Sequence, residues 1–237
     1  MGPATVTPIP TDGVIDGPAL LRLLQLASPA LPVGAYAYSQ GLESAVERGW
    51  VKDESTAGQW ILGLLGHPLT WLDVPLLARL HHAWAAGDDA AVNHWNGWLF
   101  ASREAAELQA EDHHLGGALA RLLADLGLVR AQPWRSAPQA CFATLFALAA
   151  VEWGVPCRAA ATGYVWAWCE NQAMAATRLV PLGQTAGQRI LSRAMPEITA
   201  AVDRGLALDD DDLGFAAPGL ALAGMLHETQ YSRLFRS

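Results

Sequence analysis

The chain has 237 residues, of which 52% are hydrophobic and 16% are charged, so it has enough apolar surface to bury a large core. Its formal net charge of −8 excludes a general nucleic-acid binder, because such proteins carry a basic face. The three cysteines show no close pairing, which argues against a disulfide framework and indicates a reducing, cytoplasmic environment.

No membrane-targeting segment is expected from the hydropathy pattern. Residues 1–13 have neither the basic start nor the apolar stretch of a signal peptide. The longest apolar run, about residues 141–151, is too short to cross a bilayer. We therefore expect a protein that has no contact with a membrane.

The apolar residues follow a helical period along almost the whole chain. Pro29 ends a first helix, and Ser39 caps a second. Asp53 starts a third helix that Pro68 breaks, and Asp88 starts a later one. Further on, the pattern predicts helices over residues 102–126, 139–153, 156–179, 185–204 and 218–227, with loops at 129–138 and 209–212.

These elements predict an all-α fold, a single-domain bundle of about nine or ten helices over residues 18–237. Residues 1–17 are rich in proline, glycine and small polar residues, and we expect them to form a flexible N-terminal tail. Only residues 31–38 alternate in a way that is compatible with a strand.

One motif resembles a catalytic one. The run Ala37-Tyr38-Ser39-Gln40-Gly41 nearly matches the nucleophile elbow of serine hydrolases, which needs a strand before the serine and a parallel sheet beneath it. The rest of the chain supplies no sheet, so a helix cap is the favoured interpretation of Ser39, with a serine hydrolase as the alternative. No other catalytic constellation is visible, and we expect that the chain is not an enzyme.

The histidines do not predict a metal site. The adjacent pairs His81-His82 and His113-His114 would point about 100° apart on a helix, so neither pair makes a two-ligand site on one face. The segment beginning at His227 starts like a zincin helix but lacks the second ligand. We therefore expect no metal or other cofactor, and no common nucleotide-binding motif is present.

Two segments have the composition of partner-binding surfaces. The last residues, 228–237, interleave aromatic, leucine and arginine side chains, a mixture that is enriched at binding hot spots. Their candidate anchors are Tyr231, Arg233, Leu234, Phe235, Arg236 and Ser237; docking on the chain's own domain is the alternative. In the proline-containing loop before Ser39, Tyr36 and Tyr38 either point outward for recognition or pack on the bundle.

The helix predicted over residues 102–126 carries a third candidate surface. Four leucines form an apolar stripe along it, and an acidic stripe of Glu104, Glu107, Glu111 and His114 lies about 80° to one side. Such a stripe is either a solvated flank or a surface that meets basic groups of a partner.

Four blocks of the sequence resemble the urease accessory protein UreF family. They are LLQLASPALPVGAYAYSQGLE (residues 23–43), ASREAAELQAEDHHLGGALARL (101–122), RLVPLGQTAGQRIL (178–191) and HETQYSRLFRS (227–237). The blocks stand in the family's order, and the departures are small: Leu115 replaces a frequent methionine and Gly224 a frequent serine.

The resemblance implies an all-α homodimer that assembles with UreD (also called UreH) and the GTPase UreG on apo-urease. In that complex the protein is a non-catalytic scaffold for nickel insertion that bridges UreD and UreG, and it is a possible modulator of the GTPase. Nickel is handled by the complex, with no standing site expected in this chain. The matching blocks add Ser39, Glu43, Arg103, Glu104 and Glu107 to the expected partner-binding residues, and Arg103 or Arg178 could act on the GTPase.

Overall fold

Helices dominate the computed structural model of the chain, which describes residues 13–103, 105–214, 218–228, 230–231 and 233–236. Within those ranges there are ten α-helices and no strand. They are α1 (Gly17–Ala27), α2 (Leu42–Glu47), α3 (Glu54–Leu64), α4 (Val74–Ala86), α5 (Asp89–Ala101), α6 (Ala106–Asp125), α7 (Phe142–Glu152), α8 (Cys157–Leu179), α9 (Gln184–Leu206) and α10 (Pro218–Glu228). The predicted all-α, single-domain bundle is confirmed.

Side-chain caps explain where several helices begin. The carboxylate of Asp16 accepts from the backbone N–H of Ala19 at 2.8 Å, so α1 starts at Gly17. Asp53 accepts from the N–H of Thr56, whose hydroxyl in turn accepts from the N–H of Asp53, a reciprocal capping box at the start of α3. The predicted starts near the two aspartates at positions 53 and 88 are therefore confirmed.

The predicted break at Pro68 is wrong. A π-helical segment, Leu65–Asp73, joins α3 to α4 and includes the proline. Its wider turns relieve the hydrogen bonding that proline would disrupt in an α-helix. The hydroxyl of Thr70 satisfies one carbonyl in this segment by donating to the oxygen of Leu65 at 2.7 Å.

The long helix predicted over residues 102–126 is also shorter than expected. The chain leaves α5 at Ser102 and resumes as α6 only at Ala106. The interruption lets Arg103 turn into the core, where it pairs with carboxylates from two other segments. The predicted loop at 129–138 instead contains a 3₁₀ segment, Val129–Ser136.

Helix α8 lies at the centre of the bundle and packs against α9, α1, α4 and α7. Two glycines permit close crossings elsewhere in the bundle. A methyl group on Gly116 of α6 would overlap the backbone of Ala140 and Cys141, and one on Gly205 of α9 would approach the carbonyl oxygen of Thr70 to 2.8 Å. At such crossings only glycine lets the backbones approach.

The continuous helical stretch Glu54–Ala86 is long and apolar enough to cross a membrane by length and composition alone. Its most apolar window has a mean hydropathy of 1.4, but 72% of that window is buried inside the protein. Burial of this kind is typical of a core helix.

Candidate functional site

The proline-containing loop between α1 and α2 runs through turns rather than a strand. Gly34, at φ 84°, introduces a 3₁₀ turn over Ala35–Ala37. Gln40 and Gly41 then adopt positive φ angles of 51° and 77°, which reverse the chain into α2. Residues 31–38 therefore do not form the possible strand.

Ser39 is fully buried, and its surroundings do not make a nucleophile elbow. Its hydroxyl accepts from the N–H of Glu43 at 3.2 Å, in the first turn of α2, although Gly41 stands at the N-cap position. Its carbonyl oxygen accepts from Nε2 of Gln172 at 3.1 Å. In the part of the chain that the structure describes, no strand leads into this serine. The hydroxyl accepts from the first turn of α2, but the predicted cap position is wrong, because Gly41 and not Ser39 is the N-cap.

The two tyrosines of the loop have different environments. Tyr36 is 59% exposed, whereas Tyr38 is 4% exposed. The hydroxyl of Tyr38 lies 3.2 Å from Nδ1 of His114 on α6, and its carbonyl oxygen accepts from Asn171 of α8 at 3.1 Å. Only Tyr36 is therefore presented to solvent.

The C-terminal segment docks on this loop and on α2. Both oxygens of the Glu43 carboxylate accept backbone N–H groups, from Leu234 at 2.6 Å and from Phe235 at 2.9 Å. The N–H of Arg236 donates to the carbonyl oxygen of Ala37 at 2.8 Å. The side chain of Phe235 joins the core and is 4% exposed. The backbone of the segment is thus held on the chain's own body.

A buried imidazole links this docking to α6. His227 of α10 is completely buried, with Nε2 3.2 Å from Glu43 and Nδ1 2.8 Å from Glu107 of α6. The other oxygen of Glu107 accepts from Arg233 at 2.9 Å. The network joins α2, α6, α10 and the segment after α10, so it helps to fix the position of residues 233–236.

Apolar side chains are concentrated on the outer face of this C-terminal region. We call this surface the tail face: Trp50, Leu222, Met225, Tyr231 and Leu234, each at least 40% exposed. Tyr231 is fully exposed and Leu234 is 67% exposed. Large apolar groups on a rigid backbone have the chemistry of an interaction surface.

Arg103 lies apart from the tail face, in a buried ion cluster. Its guanidinium contacts Asp73 at 2.6 Å and Asp112 at 2.9 Å, and the hydroxyl of Tyr164 donates to Asp73 at 3.2 Å. Burial alone would lower the pKa of Arg103, but the two carboxylates outweigh burial and raise that pKa well above its usual value. The arginine is permanently charged and fully engaged.

This ion cluster borders a partly open pocket of about 130 Å³ that residues of α1, α6 and α8 line. A second polar chain lines the same pocket: Nε1 of Trp168 donates to Gln40 at 2.5 Å, and Nε2 of Gln40 donates to Glu111 at 2.7 Å. The acidic stripe expected on the surface is therefore partly internal, since Glu111 is 3% exposed.

The structure gathers most of the predicted partner-binding residues into one region. Those brought together are Tyr36, Tyr38, Ser39, Glu43, Glu107, Tyr231, Arg233, Leu234, Phe235 and Arg236. Glu104 and Ser237 lie outside the described residues. That the gathered residues bind partners stays a prediction.

Sequence reasoning missed His227, Asp73 and Tyr164 as structural centres. The sequence around His227 drew attention only as an incomplete zincin motif, and its partners are 120 and 184 positions away. No local pattern signals such pairings. The one clue was a histidine placed before an acidic residue in a helix that is otherwise apolar.

One group of potential metal ligands occurs in the described part of the chain, away from the tail face. The group consists of His81, His82 and Cys157. Each offers one ligand atom, and the three atoms lie within 4.8 Å of one another.

Comparison with known proteins assigns the family. The model of the UreF family matches residues 51–195. The urease accessory protein UreF of Alkalilimnicola ehrlichii is 55% identical over 221 residues, which cover 93% of this chain and 97% of that protein. The protein of the same name from Marinobacter nauticus is 52% identical over 234 residues, covering 99% and 100% of the two chains. This chain therefore belongs to the UreF family.

Proposed function

We propose that the chain is a urease maturation factor, a cytoplasmic, non-catalytic scaffold that bridges UreD (UreH) and the GTPase UreG while nickel is inserted into apo-urease. The relatives' names associate the family with urease. The observation that carries the scaffold role is the tail face: exposed aromatic and aliphatic side chains on a backbone held by a buried hydrogen-bond network.

The docked position of the backbone reduces the number of predicted anchor residues that a partner can contact first. Phe235 is buried in the chain's own core, and Arg233 pairs with Glu107, so neither is the first contact for a partner in this conformation. Tyr231 and Leu234 project outward and form the proposed contact with UreD. A backbone ordered in advance reduces the entropy lost on association, which favours tight binding.

Co-purification of UreD with the full-length chain tests this assignment. The double variant Tyr231→Ala/Leu234→Ala should lose most of the bound UreD, because truncating a hot-spot side chain costs about 2 kcal/mol or more of binding free energy. Val129→Ala is the matched control, since Val129 is 79% exposed but lies outside the tail face. Unchanged UreD recovery with the double variant would refute the contact.

The second contact, with UreG, is assigned to the proline-containing loop. Tyr36 is its exposed aromatic residue and lies one residue from Ala37, whose carbonyl oxygen receives the docked segment. Tyr36→Ala should reduce UreG recovery in the presence of UreD while leaving UreD recovery intact. Loss of both partners together would contradict separate surfaces.

The structure distinguishes the two arginines considered for action on the GTPase. The guanidinium of Arg103 is engaged by Asp73 and Asp112, whereas Arg178 at the end of α8 is exposed. If the scaffold modulates UreG through an arginine, Arg178 is the one that can reach it. Arg178→Ala should then alter GTP hydrolysis in the assembled complex without loss of assembly; an unchanged rate would exclude this role.

Homodimerisation is part of the proposal. Exposed leucines at positions 20, 21 and 24 give α1 an outward apolar face in addition to its buried one. Light scattering of the isolated chain should give the mass of two copies, and Leu21→Glu should shift it toward one copy if α1 forms the contact. An unchanged mass would place the contact elsewhere.

A further inference from the structure

The group of potential metal ligands lies where α4 meets the start of α8. His81 and His82 are consecutive residues of α4, and Cys157 is the first residue of α8. One ligand atom from each lies within 4.8 Å of the other two. Neighbouring rings on a helix point about 100° apart, but here one ligand atom of each ring lies within 4.8 Å of the same thiol.

Main-chain carbonyls set the tautomer of each ring. Nε2 of His81 lies 3.0 Å from the carbonyl oxygen of Val155, and Nδ1 of His82 lies 2.6 Å from that of Ala78. A carbonyl oxygen can only accept, so these nitrogens carry the protons. Nδ1 of His81 and Nε2 of His82 therefore keep their lone pairs. The same outer-shell arrangement, a ring N–H on a backbone carbonyl, orients metal-bound histidines.

The lone pair on Nδ1 of His81 accepts no hydrogen bond in the structure. Nδ1 of His81 is buried and has no hydrogen-bond partner. Buried polar atoms are nearly always satisfied, so an orphan of this kind calls for an unseen partner such as an ion or a water. Burial lowers the pKa of both imidazoles, which favours the neutral form that binds metals.

The thiol is placed where a bound cation can deprotonate it. Burial raises the pKa of Cys157 to about 12 in the metal-free chain. The sulfur nevertheless lies at the N-terminus of a 23-residue helix, whose dipole favours a thiolate. Arg79, three residues before His82 on α4, pairs with Asp210 at 2.6 Å.

We propose that His81, His82 and Cys157 bind a divalent transition-metal ion, of which Zn²⁺ is the best match. Two imidazoles and one thiolate are borderline-soft ligands, and a water completes the tetrahedron from the partly exposed side of the histidines. Tetrahedral bonds of about 2.0–2.3 Å require the ligand atoms to draw together by about 1 Å. Rotation of the two partly exposed rings supplies this movement. The bound ion would link α4 to α8.

Cobalt titration of the reduced, chelator-treated full-length chain tests the site. Co²⁺ should bind with one-to-one stoichiometry and give both the intense visible bands of tetrahedral coordination and a thiolate-to-cobalt charge-transfer band. Zn²⁺ should displace it and bleach both. A wild-type protein that binds Co²⁺ without the charge-transfer band would overturn the proposal, because the ion would then be held by other groups.

Variants assign the ligands. Cys157→Ser should abolish the charge-transfer band, and His82→Ala, at the more exposed position, should weaken binding at least tenfold by removing one of three protein ligands. Cys169→Ser is the matched control, because Cys169 is another buried thiol of α8 but lies outside the cluster. Circular dichroism checks that each variant is folded. Wild-type binding by folded His82→Ala would rule the site out, even if Cys157→Ser failed to fold.

Discussion

The imidazole of His227 bridges two carboxylates that are 64 positions apart in the chain, with Nδ1 2.8 Å from Glu107 and Nε2 3.2 Å from Glu43. Glu43 in turn holds the N–H groups of Leu234 and Phe235. The imidazole therefore contacts the same carboxylate that holds the C-terminal segment.

Replacing His227 should release the C-terminal segment. His227→Ala removes the side chain that contacts the buried Glu43 and the partly buried Glu107, at a cost of about 2 kcal/mol or more in the free energy of unfolding. Hydrogen exchange should show faster exchange of the amides of Leu234 and Phe235. His94→Ala is the control, since His94 is exposed. Unchanged protection of both amides in His227→Ala would show that Glu43 holds the C-terminal segment without the imidazole.

Arg103 should be a major stabilising residue of the core. Arg103→Ala leaves Asp73 and Asp112 buried without a cation, and we expect a loss of about 3 kcal/mol or more in urea unfolding. Arg103→Lys should recover little, because one ammonium cannot reproduce the forked contacts to two carboxylates. Arg135→Ala removes an exposed ion pair with Asp125 and should change stability by less than about 0.5 kcal/mol. Similar losses from both alanine variants would contradict the assignment.

Two adjacent glycines of α6 should respond oppositely to alanine. A methyl group on Gly116 would overlap the backbone of Ala140, so Gly116→Ala should cost about 2–3 kcal/mol. On Gly117 the nearest atom would be Nη1 of Arg121 at 3.5 Å, an ordinary contact. Gly117→Ala should therefore stabilise the helix by about 0.5–1 kcal/mol. Thermal unfolding of the pair measures the difference, and equal shifts would be inconsistent with the close crossing.

The capping box at the start of α3 should make stability depend on acidity. Hydrogen bonds from Thr56 lower the pKa of Asp53 below its usual value. A carboxyl with a depressed folded-state pKa adds stability above its unfolded pKa, about 3.9, and loses it as the pH falls through the folded value. Asp53→Asn keeps a capping oxygen but cannot titrate. The melting-temperature difference between wild type and Asp53→Asn should shrink below about pH 4. A difference that stays constant with pH would show that ionisation of Asp53 does not contribute to stability.

Cys169 should be inert toward alkylating reagents in the folded chain. Burial raises the pKa of this thiol to about 12, so at pH 8 only about one molecule in ten thousand carries the reactive thiolate. Mass spectrometry after iodoacetamide treatment should find Cys169 modified only when urea is present. Rapid modification without urea would mean that α8 opens in the native state.

The residues themselves determined the fold class and most helix boundaries. Asp53 and Asp88 cap their helices as predicted, because a cap is a local interaction between a side chain and amides two or three residues away. Helical periodicity is equally local, and the blocks at residues 23–43, 101–122, 178–191 and 227–237 were sufficient to indicate the family. Partner-binding composition was visible in the last ten residues.

Tertiary structure alone decided where those residues point and what they contact. Phe235 is buried and Tyr231 is exposed, on a segment whose backbone is held by Glu43 from almost the whole chain away. Pro68 is accommodated by a π-helical segment, and the two neighbouring histidines of α4 meet a thiol from α8. These outcomes depend on packing and on hydrogen bonds between segments that are distant in the sequence. The spacing of residues along the chain does not show which distant segments come into contact.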